Sequence, residues 1–142
     1  MRAQATKDLD ASRAVVWAFI TEPYHLSDWW PEITAVRPDR RGLAPGARWE
    51  VNGPSQPTLF RKAYANGLLL VRDVQPYVRA SWYLTAERLT VEIVLEAIDE
   101  EHTRVRVTVE GPWRPEAFGR PRALPRQALA RLHALCQTAA AL

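Results

Sequence analysis

Apolar positions change their spacing several times along the chain, and each change marks a new element. In residues 3–9, Ala5, Lys7 and Leu9 share one side of an extended segment, because side chains of a strand alternate between faces. Asp10-Ala11-Ser12 then offers a helix start, with Ser12 as the capping residue. Residues 13–21 carry Val15, Val16, Phe19 and Ile20 at helical spacing, with Trp17 on the flank. Pro23 ends this helix, since proline disfavours the helical conformation of the residue before it. A short second helical turn is predicted over residues 24–29 and is closed by Pro31.

From Ile33 the period is two. Residues 33–36 form a short strand, and residues 40–46 form a loop containing Gly42, Pro45 and Gly46. Ala47, Trp49 and Val51 then alternate with Arg48, Glu50 and Asn52, the pattern of a half-buried antiparallel strand. After the turn-rich residues 53–57, segments 59–64 and 68–74 read as a hairpin joined at Asn66-Gly67. Val78, Ala80, Trp82 and Leu84 share the next inner face, followed by Leu89, Val91, Ile93, Leu95 and Ala97, and then by Val105, Val107 and Val109. No helix separates these strands, so the sheet is expected to be antiparallel. Gly111-Pro112 closes it. Pro125 suits the first turn of a helix running to about Ala140, with an irregular extension back to Pro115. Ala128, Leu129, Leu132, Leu135, Cys136 and Ala139 form its apolar stripe. The fold class is α+β: two short helices after the first strand, a curved antiparallel sheet of about six or seven strands, and one long C-terminal helix.

Composition narrows the possibilities. The 142 residues are expected to form a single domain, and with 47% hydrophobic and 25% charged positions they suffice for one substantial core. No apolar run approaches the roughly 20 residues of a membrane span, and residues 1–8 hold no apolar leader, so the expected location is the cytoplasm. The net charge of +3 invites a nucleic-acid reading, but the arginines are interspersed with acids and Lys7 and Lys62 are the only lysines. No phosphate-tracking face is defined, and no nucleic-acid partner is expected. The single cysteine, Cys136, excludes an internal disulfide. His25, His102 and His133 are not at metal-ligand spacing, and no phosphate-binding loop or Gly-x-Ser-x-Gly elbow is present. Neither a metal nor another cofactor is expected.

The segment Ala11-Ser12-Arg13-Ala14-Val15-Val16-Trp17-Ala18-Phe19-Ile20-Thr21-Glu22-Pro23, with His25-Leu26-Ser27-Asp28-Trp29-Trp30-Pro31 after it, resembles the opening of the START-like superfamily, also called SRPBCC. That group includes polyketide cyclase/dehydrase-like and Hsp90-activator-like proteins. Glu22 stands where the family commonly has Asp. Pro45-Gly46 before a strand, Asp73 to Pro76 between strands, and Thr103 to Val105 in the last strand are similar too. The resemblance implies a helix-grip fold with a cavity between sheet and long helix, suited to lipids, polyketide-like or other apolar molecules. It transfers no catalytic residue.

A strongly curved sheet gripping one helix leaves concave, mostly apolar space, the usual character of a small-molecule site. Its expected lining is Trp30, Trp49, Val51, Tyr64, Arg72, Trp82, Leu84, Val91, Ile93, Val107, Leu129, Leu132, His133 and Cys136. Of Trp29 and Trp30, one is expected to anchor the short helix while the other sits at the cavity mouth, because neighbours on a helix point about 100° apart. Lys7 and Arg72 fall on predicted inner faces, where a cation needs a partner. Three functions stay open: a binding or carrier protein for a small hydrophobic molecule, a cyclase- or dehydratase-type enzyme using the same pocket, and a protein-interaction module. The protein would act as a monomer or a homodimer.

Overall fold

The computed structural model describes residues 1–53, 67–112 and 120–141. Its strands are β1 (Arg2–Leu9), β2 (Ala35–Arg37), β3 (Arg48–Asn52), β4 (Gly67–Gln75), β5 (Arg79–Leu84), β6 (Leu89–Ala97) and β7 (Thr103–Glu110). They form one antiparallel sheet in the order β1-β7-β6-β5-β4-β3-β2. Between β1 and β2 lie α1 (Arg13–Thr21), a 3-10 turn (Pro23–His25) and α2 (Leu26–Trp29); α3 (Arg120–Ala141) follows β7. This is the helix-grip architecture that the family resemblance implies.

Local chemistry fixes the ends of these elements. The Ser12 hydroxyl accepts the Val15 N–H at 3.2 Å, and the Glu22 carboxylate accepts the Tyr24 N–H at 3.3 Å. Thr103, fully buried, donates its hydroxyl to the Ala11 carbonyl at 2.8 Å and ties the start of β7 to the start of α1. At the other end, the Met1 ammonium donates to the Gly111 carbonyl at 2.7 Å. The long strand β1 is thereby pinned at both ends to β7, and α3 packs over this pair.

The inner sheet face carries the core. Leu89, Val91, Ile93, Leu95, Val105, Val107 and Val109 are all buried, opposite α3 residues Leu124, Ala128, Leu129, Leu132 and Cys136. Ala139, expected on the same stripe, is exposed. The helix also begins earlier than expected, and Pro125 lies inside it rather than in its first turn. Proline there removes one intrahelical donor, a cost that packing of the flanking Leu124 and Ala128 offsets.

One sheet expectation needs correction. The described partners of β4 are β3 and β5, and the expected hairpin arm at 59–64 lies outside the described residues. In β4 the buried positions are Leu69 and Val71, while Arg72 is exposed on the outer face, its guanidinium 5.1 Å from the Tyr83 ring centre. A bulge explains the error of phase. Pairing passes from Val71↔Trp82 to Asp73↔Ser81, so Arg72 is an extra residue and simple alternation fails there.

Candidate functional site

The inner face of the sheet is covered in two ways. Helix α3 lies on β1 and β7, the edge half. The β3–β5 half is faced by the end of α2, where Trp29 and the following Trp30 enter the core. Cross-strand rows here run Trp49–Leu69–Leu84–Leu89 and Val71–Trp82–Val91. Trp29, Trp30 and Trp49 are 1% exposed and Trp82 2%. The Trp29 ring meets Trp30 at 5.9 Å between centres and 90°, and Trp82 at 6.0 Å and 74°. These are edge-to-face contacts, favoured by the ring quadrupoles.

Both tryptophans of the Trp-Trp pair are therefore buried, where only one was expected to be. The rule of 100° per residue fails because α2 ends at Trp29. Trp30 is already extended (φ −90°, ψ 119°), and this turn of the backbone sends its side chain back into the core.

The four indoles differ in their polar edge. Trp49 donates its N–H to the Gly42 carbonyl at 3.1 Å. Gly42 has φ +63°, a left-handed conformation natural to glycine, which shapes the loop around that carbonyl. Among the described residues, the N–H groups of Trp29 and Trp82 are buried and find no acceptor, and the buried Nε2 of His133 on α3 is likewise without a hydrogen-bond partner. Each such donor costs about 1–3 kcal/mol while it is unpaired, so two of them within one aromatic cluster call for a physical explanation.

The remaining expected lining residues are distributed as follows. Val51, Leu84, Val91, Ile93, Val107, Leu129, Leu132 and Cys136 belong to the same buried core cluster as the tryptophans. Burial alone pushes the Cys136 thiol up to about 11, so it is held protonated. Arg72 is on the opposite face of the sheet, and Tyr64 lies outside the described residues. His133 is half-buried at the rim of α3, its Nε2 3.5 Å from Asp10 Oδ2. The other oxygen of Asp10 is 3.6 Å from His102 Nε2, and His102 Nδ1 is 2.7 Å from Asp99 Oδ1. His133 thus faces the junction of β1 and α1. Beside it an open depression of about 350 Å³ is lined by Asp10, Ala11, Ser12, Glu100, Glu101 and His102.

Lys7 lies half-buried on the inner side of β1, beside Val105. An inward charge on an edge strand discourages pairing with a further strand, which gives it a structural reason to be there. Among the described residues no cluster of His, Cys, Asp and Glu could hold a metal ion, and no helix is long and apolar enough to cross a membrane. Sequence reasoning missed Trp29 and Asp10 as site residues. The Trp-Trp-Pro run signals Trp29, whereas the position of Asp10 between two histidines has no local sequence signal.

Comparison with solved structures shows the same architecture. An uncharacterised protein from Bacillus thuringiensis superposes with a TM-score of 0.73 over 96% of this chain and 99% of that one, at 11% identity. Protein NE0264 from Nitrosomonas europaea gives 0.72 over 100% and 97%, at 17% identity. DynU16, a protein of the dynemicin biosynthetic locus, gives 0.69 at 19% identity, and this chain, 97% covered, spans 48% of it. None of the curated proteins matches the sequence. The family model for "Activator of Hsp90 ATPase homolog 1-like protein" matches residues 10–133, from the Asp10 junction through the sheet to His133 on α3. The chain belongs to that family, within the START-like superfamily.

Proposed function

We propose that this chain binds a small, largely apolar molecule in its interior, between the β3–β5 half of the sheet and the α2 and α3 elements. The observation that carries the reading is the pair of buried, unpaired indole donors at Trp29 and Trp82. A core selected for stability alone gains nothing from them, whereas a binding wall uses convergent polar groups among aromatic and aliphatic surface.

Binding is favoured over catalysis by the charge inventory. The one titratable side chain in the described core cluster is Cys136, and burial keeps its thiol neutral, unsuited to act as base or nucleophile. The family description and DynU16's place in a biosynthetic locus leave room for chaperone contact or for ring-forming chemistry. Among the described residues, the exposed large apolar side chains are Val15, Tyr24, Tyr77 and Ile98, on α1, the 3-10 turn, the β4–β5 turn and just after β6.

A thermal-shift and native mass-spectrometry screen against neutral aromatics, fatty acids and sterol-like molecules tests the proposal. A ligand at 100 times its Kd stabilises the fold by about 2.7 kcal/mol, a shift of several degrees. Absence of any stabilising or retained molecule across the panel overturns it.

A further inference from the structure

The chemistry of the tryptophan wall restricts the ligand further, provided that the interior is a binding site as proposed above. We infer that the ligand is a neutral molecule bearing a carbonyl-type oxygen, which accepts hydrogen bonds from the indole N–H groups of Trp29 and Trp82.

Three observations lead there. First, an indole nitrogen donates and never accepts, so the groups left unpaired in this wall, Trp29 Nε1 and Trp82 Nε1, are two donors. They ask for acceptor oxygen, of which a carbonyl provides two lone pairs. Trp49, in the same wall, has its N–H paired with Gly42, so an unpaired indole is a property of the two positions and not of the wall. Second, among the described residues no charged side chain is buried; the buried polar ones are Thr103 and Thr108. Arg72 points off the outer face, and Lys7 is three strands away from Trp82 across the sheet, under α3. Among the described residues, a carboxylate or phosphate placed against the tryptophans finds no buried counter-charge, and burial of an unpaired charge is strongly unfavourable. The neutral Cys136 thiol supplies no positive charge either. Third, Trp29 meets both Trp30 and Trp82 edge to face, so the two unpaired donors belong to one aromatic cluster.

Three naphthalenes of nearly equal size separate these ideas: 2-acetylnaphthalene, a neutral ketone; 2-ethylnaphthalene, its counterpart without an acceptor; and 2-naphthoate, an anion. Each is titrated into the full chain, with affinity measured by calorimetry and the indole ¹H–¹⁵N signals followed by NMR. The ketone is expected to bind about tenfold more tightly than the hydrocarbon, the worth of one good hydrogen bond, and more tightly than the anion by at least as much. It alone is expected to move the assigned Trp29 and Trp82 N–H signals downfield. In Trp82→Phe the ketone's advantage over the hydrocarbon is expected to fall below about threefold, whatever change the smaller ring makes to the affinity of both.

Equal binding of ketone and hydrocarbon with unmoved indole signals, or tightest binding of the naphthoate, overturns the acceptor inference and leaves the binding site standing. Failure of all three to bind overturns both. Should Trp82→Phe not fold, the wild-type affinities and indole shifts decide the matter alone.

Discussion

Under α3, the edge strand β1 and its neighbour β7 present Ala3, Ala5, Val105, Val107 and Val109; opposite the end of α2, strands β3 to β5 present Trp49, Leu69, Val71 and Trp82. The first region is a seam of small and branched aliphatic side chains, with the hydroxyl of Thr103 satisfied by Ala11. The second is built from large flat rings and leaves two polar atoms unpaired. Strand alternation is the same in both. The aliphatic seam is closed by the long helix α3, on which the buried Nε2 of His133 also lacks a hydrogen-bond partner among the described residues. The binding site proposed above lies in the half where packing is aromatic.

The largest expected effect sharpens the stability role of the aliphatic seam. Leu132→Ala, at a fully buried position on α3, is expected to lower unfolding free energy by about 2–5 kcal/mol in denaturant titration, through lost transfer energy and the cavity left behind. A loss below about 1 kcal/mol would mean that α3 is loosely seated. Next comes a pair inside the tryptophan wall. Trp49→Phe and Trp82→Phe remove similar volume, but the first also breaks the bond to Gly42 while the second deletes an unpaired donor. In ligand-free protein Trp49→Phe is expected to cost about 1–2 kcal/mol more than Trp82→Phe, because removing an orphaned polar group offsets part of the packing loss. Equal costs would show that the Trp82 N–H is satisfied in solution. Smaller still is Arg72→Met. It forfeits only an exposed cation–π contact with Tyr83, about 0.5–1 kcal/mol, and is expected to leave ketone affinity within twofold of wild type. A large loss of binding would return Arg72 to the inner face.

These two regions were also unequally legible in the sequence. Strands β6 and β7 follow strict alternation with β-branched residues inward, so their faces are read directly from the residues. The stripe on α3 is equally plain from Leu129, Leu132 and Cys136. Near the tryptophans, local rules break down for identifiable reasons. One bulge residue shifts the phase of β4, and the end of α2 turns Trp30 into the core beside Trp29. Whether an indole N–H has an acceptor depends on a distant loop carbonyl, as at Gly42 for Trp49, and periodicity carries no record of that. Asp10, between His102 and His133, is placed by the meeting of three separate elements.

That meeting point yields the smallest expected effect, one that divides the seam's outer rim from its core. The Asp99 carboxylate raises the pKa of His102 above its ordinary 6.5, first by hydrogen bonding and then by its charge, with Asp10 and Glu101 adding to it against some desolvation. A raised folded-state pKa means that the histidinium stabilises the fold fully below about pH 6.5, and that this contribution is lost as pH climbs through the raised value. The Asp99 carboxyl lies below its ordinary 3.8, chiefly because it accepts the Glu101 N–H and then the His102 proton. Its contribution is present above about pH 3.8 and disappears as pH falls through the lowered value. Both groups are exposed and solvent-screened, so the effect on global stability is slight and the histidine itself is the better reporter. In an NMR titration the His102 midpoint is expected above 6.5 in the wild-type chain and nearer 6.5 in Asp99→Asn, while the indole signals of Trp29 and Trp82 stay unmoved from about pH 6 to about pH 8. An unchanged His102 midpoint would remove Asp99 as the cause. Indole signals that follow the titration would mean that the rim and the tryptophan wall are one coupled unit, and the division between the two halves of the sheet would fail.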